Sequence, residues 1–243
     1  MSYLSFLVIF IIIPGLIFSY LVWKRARKEG LQRMLAWHIR GTLILAAIAF
    51  IWTTPWDNYI VAKGVWTYGT DRVIGVIGYV PIEEYAFFIL MPFLNSALFA
   101  YFFLAQVVET NRFQKKQTAQ RSIAFSFGLT LFALGWLLIQ REPFTYLAST
   151  LIWFVPPLLI QWIFDPALLL AKIKILLIST LVPTVYLSTA DAWAISNGIW
   201  TIQDPTRTGW QFGILPFEEA FFFLITSLLL AQGLLLWHSL GRK

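Results

Sequence analysis

Seven stretches of this chain are each long and apolar enough to cross a lipid bilayer, and that constraint fixes its class before any motif is considered. A membrane-spanning helix needs about 20 mostly apolar residues at 1.5 Å rise per residue. Residues 4–23, 35–54, 81–106, 122–140, 144–164, 173–190 and 215–237 meet that requirement. The fifth contains Pro156 and Pro157, which a membrane helix tolerates when its neighbours satisfy the freed backbone groups. Only 12% of the residues are charged and 59% are hydrophobic, against roughly 25% charged in a soluble domain. The sequence therefore predicts an all-α integral membrane protein, multi-pass in the cell membrane.

The formal net charge of +6 does not point to nucleic acid, because the basic residues sit in short loops between spans. They report orientation instead. With the N-terminus outside and the C-terminus cytoplasmic, Lys24, Arg25, Arg27, Lys28, Arg33, Arg40, Arg112, Lys115, Lys116, Arg121, Lys172, Lys174, Arg242 and Lys243 fall inside. Only Lys63, Arg72, Arg141 and Arg207 fall outside. The cluster at 24–28 follows the first apolar run, the pattern of an uncleaved span and not of a signal peptide. With no cysteine, disulfides, thiolate metal sites and cysteine nucleophiles are excluded. His38 and His238 do not make a metal site without carboxylates, so no metal is expected, and His38 reads as interfacial.

The chain repeats itself. Asp57-x6-Gly64-x-Trp66-Thr67 recurs as Asp191-x6-Gly198-x-Trp200-Thr201, at an offset of 134. Further on, Arg72 and Gly78-x-x-Pro81-x-Glu83-Glu84 recur as Arg207 and Gly213-x-x-Pro216-x-Glu218-Glu219, offset by 135. Phe87-Phe88 matches Phe222-Phe223, and Arg40 matches Lys174. The expected organisation is a three-helix repeat over 1–107, a basic loop and linker helix over 108–143, and a second three-helix repeat over 144–243. The odd linker puts both repeats in the same orientation, related by a pseudo-twofold axis along the membrane normal.

Of the 12 acidic residues, Glu83, Glu84, Glu218 and Glu219 alone fall in the first turn of an apolar span. Ionisable groups at the bilayer centre cost at least ~2.5 kcal/mol each, which makes them functional candidates. Proline followed by acids is also an ordinary helix start, favoured by the helix dipole, but one acid would suffice for that. A carboxylic acid in an apolar site is disfavoured as the anion and can hold a proton at neutral pH. In a dry pocket it could protonate a poor base such as an alkene. Adjacent helical residues point about 100° apart, so one glutamate of each pair faces the site while the other tunes or orients it.

Asp57 and Asp191 read as lying just outside the spans, as caps or as site residues. Trp66 and Trp200 read as interfacial anchors, with the alternative that their ring faces stabilise a cation. Phe87 and Phe222 serve packing, lipid contact or a pocket wall. Gly64 and Gly198 serve turns.

The paired Pro81-Ile82-Glu83-Glu84 and Pro216-Phe217-Glu218-Glu219 motifs, each with an upstream Asp-x6-Gly-x-Trp-Thr block, resemble the membrane-embedded lycopene cyclases. In that family the two halves occur as separate subunits of a heterodimer or fused, and this chain resembles the fused form. The resemblance implies an intramolecular lyase that closes the linear end groups of lycopene, or a related linear carotenoid, into β-ionone-type rings. A proton adds to the terminal double bond, the cation cyclises and a proton is lost. It carries an essential role over to Glu83, Glu84, Glu218 and Glu219. The soluble-type cyclases use a flavin and a Rossmann motif. No such motif is present, so no cofactor is expected. Expected partners are the carotenoid, the bilayer and, as candidates, other enzymes of carotenoid synthesis. Two other readings compete: a proton-coupled small-solute transporter built as three, one and three helices, and a scaffold for other membrane enzymes.

Overall fold

The computed structural model describes residues 1–69, 71–106 and 117–241. Arg112, Lys115, Lys116, Arg242 and Lys243, expected on the inner side, lie outside them. Among the described residues seven helices are long and apolar enough to span a bilayer. We number them α1 (Tyr3–Glu29), α2 (Gln32–Ala62), α3 (Ile82–Phe103), α4 (Thr118–Leu138), α5 (Thr145–Phe164), α7 (Ile173–Ser196) and α8 (Phe217–Leu240), with the short α6 (Pro166–Ala171) between α5 and α7. The chain is thus a multi-pass, all-α membrane protein. Large apolar side chains such as Ile51 and Leu137, each 71% exposed, cover its outside, where lipid replaces a core.

The two helices that carry the paired glutamates are the most enclosed. Within their apolar windows 67% of α3 and 56% of α8 is buried, against 11% of α4. Packing of α4 is mainly against α5.

The second and sixth spans run further than their apolar stretches indicate. The apolar run of α2 ends near Pro55, yet the helix continues through that proline to Ala62. Likewise α7 continues past Asp191 to Ser196. Asp57 and Asp191, expected just beyond the spans, therefore sit on the last turns of helices. Both helices stop alike. Gly64 (φ 74°) and Gly198 (φ 63°) take the left-handed conformation that glycine adopts without steric cost. Val65 N–H then donates to Ile60 O (3.1 Å) and Ile199 N–H to Ala194 O (3.1 Å), the six-to-one bond of a Schellman cap.

Each cap feeds a short strand, an element absent from the sequence reading. β1 (Trp66–Tyr68) pairs antiparallel with β4 (Trp200–Ile202), so that Thr67 faces Thr201, its own counterpart. Bonds from Gln203 N to Val65 O (2.9 Å) and from Gly69 N to Ile199 O (3.0 Å) extend the ladder. Two matching hairpins follow, β2–β3 (Val76–Ile77 with Val80–Pro81) and β5–β6 (Gln211–Phe212 with Leu215–Pro216). Each delivers the chain into a glutamate-bearing helix, with Pro81 and Pro216 as the capping residues. Arg72 and Arg207, matched in sequence, have different contacts. Arg72 donates to Met1 O, while Arg207 pairs with Asp204.

The opposite end of the bundle is tied by aromatic and imidazole rings. Trp37 and Trp237 stack at 4.4 Å, and each indole N–H donates to the other's carbonyl. His38 is buried, not interfacial. Its ring is hydrogen-bonded to His238 at 3.0 Å and to the Ser96 hydroxyl at 2.8 Å. Gly41 allows this approach, because a Cβ there would collide with the Trp237 indole. Gly41→Leu is expected to lower stability by about 1–3 kcal/mol, the usual cost of overpacking. Leu43→Ala, at a lipid-exposed position, should change it far less. Thermal unfolding of both variants in detergent checks this.

Candidate active site

The turns after α2 and α7 and the starts of α1, α3, α5 and α8 meet at one end of the bundle. There the two halves share a single small cavity of about 40 Å3. Its acidic groups are the carboxyls of Glu84, Asp191 and Glu219, and its walls are largely aromatic: Tyr3, Phe6, Trp66, Tyr68, Phe87, Phe88, Trp200, Phe222 and Phe223.

The two glutamates of each motif separate as helix geometry requires. Glu84 and Glu219 line the cavity. Glu83 and Glu218 are buried but outside its lining. Glu83 Oε1 accepts from Ile74 N–H (2.8 Å), and Glu218 Oε1 from Thr208 N–H (2.6 Å). Each first glutamate thus fastens the loop that leads into its own helix. The spacings are nine and ten residues, so the two glutamates take amides one position apart in the aligned loops, since Ile74 aligns with Gly209 at the offset of 135.

The tryptophans are not interfacial. Both are buried at 8% exposure, with their indole N–H groups on carboxyls. Trp200 Nε1 donates to Asp191 Oδ1 (2.9 Å), within its own half. Trp66 Nε1 donates across to Glu219 Oε1 (2.7 Å). Two equivalent residues therefore serve different acids. Asp57, equivalent to Asp191 in sequence, is fully buried with neither carboxyl oxygen hydrogen-bonded, and it is absent from the cavity lining.

Glu84 accepts from the Tyr68 hydroxyl (3.3 Å), and the Tyr3 side chain faces the same carboxyl. Burial, and next the Glu84 carboxyl beside it, push the Tyr68 hydroxyl well above the ordinary tyrosine range, so it remains a neutral donor. In the other half Tyr146, buried at 0% exposure, faces Glu219. Neither Tyr3 nor Tyr146 was singled out from sequence. The available signal was a tyrosine in the first turn of the first helix of each repeat.

Phe87 and Phe222 are both in the wall, and Trp56 backs Phe222 in a parallel stack at 5.4 Å. Ring faces attract positive charge, by about 2 kcal/mol or more when water is excluded. The cavity thus combines carboxyls that can exchange protons with an apolar aromatic enclosure suited to a short-lived cation.

The family model described as lycopene cyclase matches residues 1–102 and 121–236. A lycopene beta-cyclase of Halobacterium salinarum is 33% identical over 236 residues, covering 97% of this chain and 95% of that protein. A bifunctional lycopene cyclase/phytoene synthase of Aspergillus oryzae is 34% identical over 209 residues, 82% of this chain and 34% of that protein. One of the same description from Phycomyces blakesleeanus is 35% identical over 193 residues, 75% of this chain and 31% of that protein. No solved structure matches.

The loop-fastening role of the first glutamates makes a prediction independent of activity. Glu83→Ala should speed amide hydrogen exchange at Ile74, and Glu218→Ala at Thr208, each by about tenfold or more for loss of a bond to a carboxylate. Exchange in the α3 and α8 interiors should stay unchanged. Mass spectrometry of exchanged peptides reads both.

Proposed function

This chain belongs to the lycopene cyclase family, and we propose that its ring closure takes place in the cavity between Glu84, Asp191 and Glu219. The enzyme cyclises the linear end groups of lycopene by protonation, cation cyclisation and deprotonation. One observation carries the assignment of the site: carboxyls from both repeats converge on one cavity otherwise lined by aromatic and apolar side chains.

Indole N–H groups can only donate, so the oxygens of Glu219 and Asp191 that face Trp66 and Trp200 serve as acceptors. Tyr146 also faces Glu219, but both groups at Glu84, those of Tyr68 and Tyr3, are hydroxyls, which can accept as well as donate. We therefore assign Glu84 as the proton donor and Glu219, with Asp191 beside it, as the acceptor. The Glu84 proton adds to the terminal alkene and leaves a tertiary cation. The neighbouring double bond attacks that cation, closing the ring and moving the charge into it. A proton then leaves the ring carbon next to the charge for Glu219, forming the new double bond. Atoms and electrons balance within one isomerisation, and the proton returns from Glu219 to Glu84 before the next turnover. No net electrons are exchanged, and we propose that the chain works without a flavin, in keeping with the lack of a Rossmann motif in its sequence. The β-ionone-type ring is the product we assign, in keeping with the name of the Halobacterium relative. Glu83, Glu218 and Asp57 support the site without lining it.

The orientation we propose puts the N-terminus and the cavity outside, as the basic loops favour. Nothing in the site or in these relatives supports a transporter.

Glu84→Gln and Glu219→Gln should each abolish cyclic carotene in a lycopene-accumulating host, with protein levels in the membrane unchanged; pigment chromatography is the readout. The two should differ in heavy water. Lycopene recovered from Glu219→Gln should carry deuterium at the protonated carbon, because donation still occurs and reverses. Lycopene from Glu84→Gln should carry none. The reverse pattern would exchange the two roles.

A further inference from the structure

A C40 polyene is far longer than this small cavity and must continue beyond it. Three of its wall residues, Phe87, Phe88 and Phe222, also line a second space of about 280 Å3. This is a groove between α2 and α5, with α3 and α8 behind it. On α2 it extends from Thr53 to Leu45 and on α8 from Phe222 to Leu230. Eight residues at 1.5 Å each give a run of about 12 Å along the helix axes, away from the carboxyls.

The groove is built for hydrocarbon. Its polar side chains are few, and the Thr226 hydroxyl and the Gln161 amide N–H are donated to the carbonyls of Phe222 and Leu229. Beside it α2 and α5 are clasped, Trp52 Nε1 donating to Trp153 O (3.1 Å) and Trp153 Nε1 to Trp52 O (2.7 Å). Its sides are open to the bilayer, with Ile48 and Ile160 54% and 69% exposed.

We propose that this groove holds the polyene of the carotenoid, which slides in sideways from the lipid and passes its end group between Phe87, Phe88 and Phe222 to the carboxyls. The occupant is chosen by continuity: the groove shares a wall with the cavity, and its lining offers contact to an apolar chain and no charge. The proposal rests on ring closure taking place in that cavity.

Two narrowing variants test it, Ala49→Trp on α2 and Ile160→Trp on α5. Ile160 is exposed enough to accept the larger ring without disturbing packing. Ile51→Trp, on the outer face of α2 and absent from the groove, is the control. The narrowed proteins should show KM for lycopene raised by about tenfold or more, and the control should be unchanged. Each is also combined with Glu84→Gln, and the lycopene that co-purifies per protein is read by absorbance. That ratio should fall severalfold in the narrowed proteins and persist in the control. Unchanged KM and unchanged pigment in both folded narrowing variants would overturn the proposal and leave the groove to a lipid acyl chain. If Glu84→Gln cyclises lycopene normally while the narrowing variants still lose it, the catalytic assignment falls and the groove stands.

Discussion

The pairing of Trp66–Tyr68 with Trp200–Ile202 is the contact on which the site depends. A buried strand cannot leave its backbone groups unpaired without cost, and among the described residues neither three-residue strand has a strand partner within its own half. Pairing with each other satisfies both and draws the ends of α2 and α7 together. It also turns two tryptophans inward. From those positions one indole reaches across the seam to Glu219 and the other stays with Asp191. The seam acts together with the direct packing of α3 on α8, where Phe87 meets Phe223 at 6.5 Å.

Around that seam the acids divide their work by helix geometry. The first glutamate of each motif is spent on a backbone N–H of the preceding loop, and the second is free to face the cavity. A buried carboxyl is costly unless something satisfies it, and each has a distinct answer: a loop amide, an indole, a phenol. Asp57 is the exception, with no hydrogen bond at either oxygen despite complete burial.

Seven spans and the paired glutamates were legible in the sequence because long apolar runs and carboxyls within them are local signals. Asp57 and Asp191 were misplaced because hydropathy marks where lipid contact ends and not where a helix ends. Pro55 reads as a breaker, yet α2 passes through it. Trp66 and Trp200 carried the signature of interfacial residues, and their roles depend on a strand pair three residues long, below what periodicity can reveal. His38 and His238 are 200 positions apart, and Tyr3 and Tyr146 act through acids on other helices. Such pairings depend on how the helices assemble, which no stretch of sequence contains.

The register that sets Thr67 opposite Thr201 is one that two identical chains would also make, by an isologous contact in which each residue meets its own copy. A homodimer of one half could therefore build the seam, but symmetry would give every acid in it a twin with identical partners. Donor and acceptor would be interchangeable. Joining two unequal halves removes that restriction. Trp66 and Trp200 can then attend to different carboxyls, and a proton relay gains a direction.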